Sequence, residues 1–200
     1  MLKVGLTGNI GCGKSTVARF LKDLSCVVFD ADQIIRSFYE EKGEVYQRIV
    51  SIFGREVLDQ EGNIDRKKLA DLVFSDEEKL RILEEITHNA LYRKLDEEFS
   101  KLPKGSIVVV EASLLVEKGT YKNYDFLVVV YAPYEVCKRR AILKGMEEED
   151  FERRWKRQMP IEEKLRYAHF IVDNSDSLER TERQVRDLYV RLRNLADFSL

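Results

Sequence analysis

Gly8-Asn9-Ile10-Gly11-Cys12-Gly13-Lys14-Ser15 fits the pattern G-x-x-x-x-G-K-[ST] in full. It follows an apolar run, Leu2 to Thr7, and opens an amphipathic one, Lys14 to Asp23. In that setting glycines let the backbone close around phosphate oxygens and turn successive N–H groups inward. The start of the following helix adds its positive dipole end to the same anion. Lys14 is then expected to reach the β- and γ-phosphates of a nucleoside triphosphate, and the Ser15 hydroxyl to ligate Mg²⁺. The bland alternative is an ordinary glycine-rich turn between strand and helix. A dinucleotide site fits less well, because the third glycine of G-x-G-x-x-G, counted from Gly11, is Thr16. Cys12 lies near a helix start, which can lower a thiol pKa, or it is simply a small loop residue.

A second group of chemical residues is Asp30-Ala31-Asp32, after the apolar run Cys26 to Phe29. Strands of a parallel sheet present their C-terminal ends together, so these carboxylates are expected beside the phosphate loop. One could accept the proton of an attacking hydroxyl while the other orders Mg²⁺-bound water. Alternatively, Asp30 or Asp32 caps the helix that follows.

These residues need a scaffold. Leu2 to Thr7, Cys26 to Phe29, Ile107 to Val110, Phe126 to Tyr131 and Phe170 to Val172 read as short buried strands. Helical patterns cover Lys14 to Asp23, several segments between Gln33 and Leu102, Tyr134 to Lys144, and Glu148 to Met159. Leu178, Thr181, Val185, Leu188, Leu192 and Leu195 follow the 3/4 spacing of a docking helix. The stretch between the second and third strands is too long for one crossover, which predicts an inserted helical subdomain. The expected fold is α/β: a P-loop NTPase domain with a five-stranded parallel sheet, a helical acceptor-binding insert and a helical lid. The core takes residues 1–32, 103–138 and 168–200, the insert 33–102 and the lid 139–167.

Composition narrows the class further. The chain has 200 residues, 44% hydrophobic and 35% charged, enough for one domain with a real core. Basic and acidic residues nearly balance at 34 and 36, which does not suggest a coat for nucleic acid or an anionic membrane. No apolar run approaches the roughly 20 residues of a membrane span, and MLKVGLTGNIG reaches Gly and Asn too soon for a signal peptide. Cys12, Cys26 and Cys137 form neither a C-x-x-C pair nor a disulfide framework. A cytoplasmic chain is expected, a monomer or small homo-oligomer.

The loop alone says nucleoside triphosphate rather than reaction. No N-K-x-D motif is present to read guanine. ATPase motors and transporters show a strand ending in paired acids, of which Ile107 to Glu111 is an imperfect version. An early helical insert with a late arginine-rich segment points instead to a kinase acting on a small-molecule hydroxyl. A regulator that binds ATP without transferring phosphate would have no use for a base such as Asp32.

GLTGNIGCGKS with the triplet Asp30 to Asp32 resembles dephospho-coenzyme A kinase. VSIFGREVLDQEGNIDRKKLADLVF is similar to that family's helical insert, and ITHNALYRKL and SLLVE to its next two segments. Arg153 to Gln158 followed by EEKLRYAHFIVDN resembles its lid and the strand beyond, so the likeness spans nearly the whole chain. The resemblance implies transfer of the γ-phosphate of ATP to the ribose 3′-hydroxyl of dephospho-CoA. It further implies that Gly11, Cys12, Gly13, Lys14, Ser15 and Thr16 hold ATP and that Asp32 is the catalytic base. By the same likeness Arg139 and Arg153 neutralise the transferring group, Asn174 lies near the adenine, and His88 contacts the acceptor. The chain departs from the family's usual residues at Asn89 for Pro, Glu111 and His169 for Asp, and Leu143 for Arg. Arg140 and Lys144 are candidate stand-ins for the arginine missing at Leu143.

Overall fold

The computed structural model describes residues 1–198. Contacts divide the chain into two compact units, Met1–Asp30 with Pro103–Leu200, and Ala31–Leu102.

The first unit is built on five parallel strands: β1 (Leu2–Gly8), β2 (Val27–Asp30), β3 (Ile107–Glu111), β4 (Phe126–Tyr131) and β5 (Phe170–Asp173). They are the five strands expected from the apolar runs. Their order is β2-β3-β1-β4-β5, with β1 pairing β3 on one side and β4 on the other. The central strands bury successive residues, such as Leu127 to Val130, as a parallel sheet covered on both faces requires. Because the chain leaves central β1 and next enters edge strand β2, the crevice at the C-terminal end of β1 lies where the strand order switches.

Helix α1 (Lys14–Asp23) follows β1 after a five-residue loop, burying Val17, Ala18 and Leu21. It stops in a Schellman turn: Ser25 takes φ 71°, Cys26 N–H donates to Leu21 O and Ser25 N–H to Lys22 O. In the second unit, helices α2 (Ala31–Glu40), α3 (Glu44–Phe53), α4 (Arg66–Phe74) and α5 (Glu77–Ser100) share a core of Val45, Ile49, Phe53, Leu69, Val73 and Ile86. Asp65 and Asp76 cap α4 and α5 by accepting backbone N–H groups of their first turns.

The segment after β4 forms α6 (Tyr134–Leu143), α7 (Glu148–Arg157) and the single turn α8 (Ile161–Lys164). Gly145, at φ 92°, reverses the chain after α6. Tyr134, Phe151 and Trp155 then pack their rings across α6 and α7, and Lys138 pairs with Glu148 and Glu152. Gln158, extended at φ −86° and ψ 150°, and Pro160 separate α7 from α8. Helix α9 (Leu178–Phe198) buries Thr181, Val185, Leu188 and Leu192 as the 3/4 spacing predicts. Leu178 departs from that stripe: it is exposed and faces the cavity described below. No described helix is long and apolar enough to cross a membrane.

Candidate functional site

The loop between β1 and α1 has no room for side chains at its glycines. Gly11 and Gly13 take φ +78° and +89°, a region that L side chains rarely adopt. A Cβ on Gly11 would lie 2.3 Å from Cys137 O, and one on Gly13 2.0 Å from Asn174 Nδ2. Gly8 is closed in as well, with Cys12 Sγ 2.5 Å from the place of a Cβ. The loop is thus threaded between β4, α6 and the Asn174 turn: a larger residue at Gly8 or Gly11 would press on backbone, and one at Gly13 would displace the Asn174 side chain.

Side chains from distant segments fix the loop from below and beside. Asn174 Nδ2 donates to Cys12 O at 2.8 Å, while Asn174 Oδ1 accepts from Thr181 Oγ1 at 2.6 Å. Ile10 N–H donates to Gln158 Oε1 at 2.8 Å, and Asn9 Nδ2 to Met159 O at 3.0 Å. Thr7 Oγ1 donates to Ala112 O at 2.7 Å, joining the end of β1 to the segment after β3. These bonds are buried or half-buried, so breaking one would leave a polar group with little water to compensate it, at a cost of about 1–3 kcal/mol.

Above the loop lies a cavity of about 930 Å³, the size of a nucleotide site. Its floor is the loop from Gly8 to Thr16 with Ser113, and its walls carry Arg140, Lys144, Arg154 and Arg157. Lys14 Nζ donates to Ser113 Oγ at 3.3 Å. Arg140 Nη1 reaches Cys12 O at 3.5 Å, which holds its guanidinium against the loop. Lys14 and these wall residues put five cations around one concave surface, a field suited to a polyphosphate.

The residues chosen from sequence fall in three places. Gly11, Gly13, Lys14, Ser15, Thr16 and Asn174 line the cavity, and Cys12 is buried just beneath it. Arg139 and Arg153 are not part of its wall: both are exposed, and Arg153 pairs with Asp150. Their neighbours Arg140 and Arg154 occupy the wall instead. Asp30 ends β2 in register with Glu111, which ends β3 and is buried. Asp32 sits in the first turn of α2 and His88 is half-buried on α5, both in the second unit. His169 has its own structural duty, accepting Leu127 N–H at Nδ1 and packing edge-on to Phe126.

The thiols are not activated. Burial pushes the Cys12 thiol up, against the opposing charge of Lys14. Burial likewise raises Cys26 to about 11 and Cys137 to about 12. A helix start therefore does not lower Cys12, because desolvation of the thiolate outweighs it. At pH 8 the folded protein is expected to leave all three cysteines unlabelled by a disulfide reagent over minutes, and to release three thiols in denaturant. Rapid labelling of one thiol in the folded protein would show that an activated cysteine is exposed.

Sequence reasoning overlooked Lys164, Glu117 and Ser113, which join behind Lys14. Lys164 lies within EEKLRYAHF, but nothing in that charged run marks one lysine as fully buried. Thr181 was legible as a face residue of α9 but not as the partner of Asn174.

The sequence model of the family "Dephospho-CoA kinase" matches residues 2–180. A dephospho-CoA kinase of Aquifex aeolicus is 62% identical over 192 residues, covering 96% of this chain and 98% of the relative. A crystal structure from Thermus thermophilus superimposes with a TM-score of 0.84 at 37% identity, covering 96% of this chain and 97% of its own. A dephospho-CoA kinase structure from Campylobacter jejuni does so at 0.69 and 30% identity, covering 96% and 97%.

Proposed function

The chain belongs to the dephospho-CoA kinase family, and on that premise we propose how its residues carry out the reaction. The reaction is transfer of the γ-phosphate of ATP to the ribose 3′-hydroxyl of dephospho-CoA, giving coenzyme A and ADP. It is the last step of coenzyme A biosynthesis. The observation that carries this assignment is the family match across residues 2–180, which includes the whole phosphate loop and the segment facing it.

Attack by the 3′-oxygen forms a bond to the γ-phosphorus while the bond to the β–γ bridging oxygen breaks. ADP leaves, and the hydroxyl proton passes to a carboxylate, which we assign to Asp32. Such a transfer needs little covalent help, so placement and charge supply most of the acceleration. Lys14 and the N–H groups from Gly11 to Thr16 hold the β- and γ-phosphates. Cys12 and Asn174 act from beneath, Asn174 through its bond to Cys12 O. Arg140, Lys144, Arg154 and Arg157 line the cavity in this conformation. Arg139 and Arg153, carried on the same helices, are assigned to a closed state of a lid spanning 139–167. Insert 33–102 is assigned to the acceptor, with His88 among its contacts, and core 1–32, 103–138 and 168–200 to ATP.

Ser15 lines the cavity beside Lys14, and its hydroxyl oxygen suits a hard cation, so the site fits Mg²⁺. When bound, Mg²⁺ would neutralise charge on the β- and γ-phosphate oxygens. We place the enzyme in the cytoplasm, in agreement with three free buried cysteines, as a monomer or small homo-oligomer without nucleic-acid or membrane partners.

The test is a panel of acceptors with Mg²⁺-ATP: dephospho-CoA, adenosine, other nucleosides and shikimate. ADP is expected to appear with dephospho-CoA alone. Turnover of another acceptor at equal kcat/KM would move the specificity, and no acceptor-dependent turnover would leave an ATP-binding regulator.

A further inference from the structure

Lys164 is 0% exposed, a rare place for an ammonium group. Its Nζ lies 2.9 Å from Glu117 Oε2 and donates to Ser113 O at 3.3 Å. Both contacts continue into the phosphate loop. Along one, Ser113 Oγ accepts the ammonium of Lys14 at 3.3 Å. Along the other, Glu117 Oε2 accepts Met159 N–H at 3.1 Å, and Met159 O accepts Asn9 Nδ2 at 3.0 Å. The adjacent Gln158 accepts Ile10 N–H. A single buried charge therefore closes two chains of contact, one ending on Lys14 and one at the start of the loop.

We propose that Lys164 is a positioning residue for ATP, holding Lys14 through Ser113 and the Asn9–Ile10 end of the loop through Glu117 and Met159. A well-packed apolar pair would stabilise a fold as well as a buried ion pair, or better. Stability alone thus gives no reason for a charge here. A nucleotide site does give one, since its groups must be held in place before the ligand arrives. Electrostatics agree with the geometry. Burial pushes the Lys164 ammonium down, Glu117 opposes that, and the charge of Lys14 is near enough to push the same way as burial. Lys164 also ends α8, which follows α7 directly after the Gln158–Pro160 turn. The same contacts therefore anchor the base of the helix that carries Arg154 and Arg157.

This inference rests on the ATP site assigned above, but not on the identity of the acceptor. The decisive variant is the double substitution Lys164→Met, Glu117→Gln. It removes both charges together and keeps an oxygen for Met159 N–H, so no lone buried ion remains. Three quantities are read: the Kd for Mg²⁺-ADP by calorimetry, KM for each substrate, and the thermal midpoint. The double variant is expected to bind ADP about 10-fold or more weakly, with a raised KM for ATP and lowered kcat. The KM for dephospho-CoA is expected to stay within about twofold. A folded double variant with unchanged ADP affinity, ATP KM and kcat would reduce Lys164 to a structural pin and overturn the proposal. If that protein does not fold, Glu117→Asp carries the test, because it keeps both charges while drawing the carboxylate one methylene back from Lys164 and Met159. A several-fold loss of ADP affinity is then expected, and unchanged affinity overturns the proposal. Wild-type turnover in the same assay separately tests the acceptor. If dephospho-CoA proves inert, the acceptor reading fails while the ADP titrations still decide the role of Lys164.

Discussion

Replacing Lys14 by alanine is expected to lower kcat/KM for ATP roughly 10³-fold and to leave the protein folded. Lys14 opens α1, and its ammonium is held toward the cavity by Ser113 Oγ at 3.3 Å. The charge it offers to the β- and γ-phosphates matters more as the β–γ bridging oxygen takes up charge during transfer. Loss of one such pre-set group costs about 2.7–4 kcal/mol of barrier, equivalent to about 10²–10³ in rate. We take the upper end, because Lys14 is on the loop itself whereas Arg154 and Arg157 reach the cavity from exposed positions on α7. Stability should hardly change, since Ala is a better helix former than Lys and Lys14 is only half-buried. Initial rates at varied ATP and a thermal melt decide the matter. A fall of less than about tenfold in kcat/KM would mean that the wall cations carry the phosphate, and the loop lysine would lose its assigned role.

The parts legible in sequence were those governed by local rules. β1, α1 and the loop joining them follow from an apolar run, two glycines at positive φ and an amphipathic helix, all within residues 2–23. The five strands were readable because a sheet buried on both faces demands continuous apolar runs, and only strand ends shifted by a residue. Strand order and long-range side-chain contacts were not readable. Asn174 sits 162 residues from Cys12 and bonds its carbonyl, a contact that neither residue type nor spacing announces. The wall is a question of helical phase. Arg139 and Arg140 are adjacent on α6, yet one is exposed and the other is held against the loop, because side chains about 100° apart face different surroundings. Arg153 and Arg154 repeat the case on α7, where both pair with Asp150 but only Arg154 lines the cavity. Cys12 meets opposing influences: its position favours a thiolate, while its depth does not.

The change Asp32→Asn should lower kcat about 10²-fold while nucleotide affinity and the thermal midpoint stay close to those of the wild type. Two roles are open to this carboxylate, and their magnitudes differ. Asp32 lies in the first turn of α2, where a negative charge favours the helix by about 0.3–1 kcal/mol. If that were its whole duty, the asparagine variant would lose a degree or a few in its midpoint and keep its rate. A general base contributes about 10²–10⁴ in rate, or about 2.7–5.4 kcal/mol, which no dipole effect on one exposed turn reaches. Asparagine is nearly the same size and can still form hydrogen bonds, but it cannot take the proton of the 3′-hydroxyl. Only Ala31 separates Asp32 from Asp30, the last residue of β2. Asp30 is therefore the one neighbour along the chain that could take over, and Asp30→Asn serves as the comparison. The assignment of the base to Asp32 requires the larger loss of kcat in Asp32→Asn. The opposite ranking would move the base to Asp30, and normal turnover in both would remove general-base catalysis from this segment.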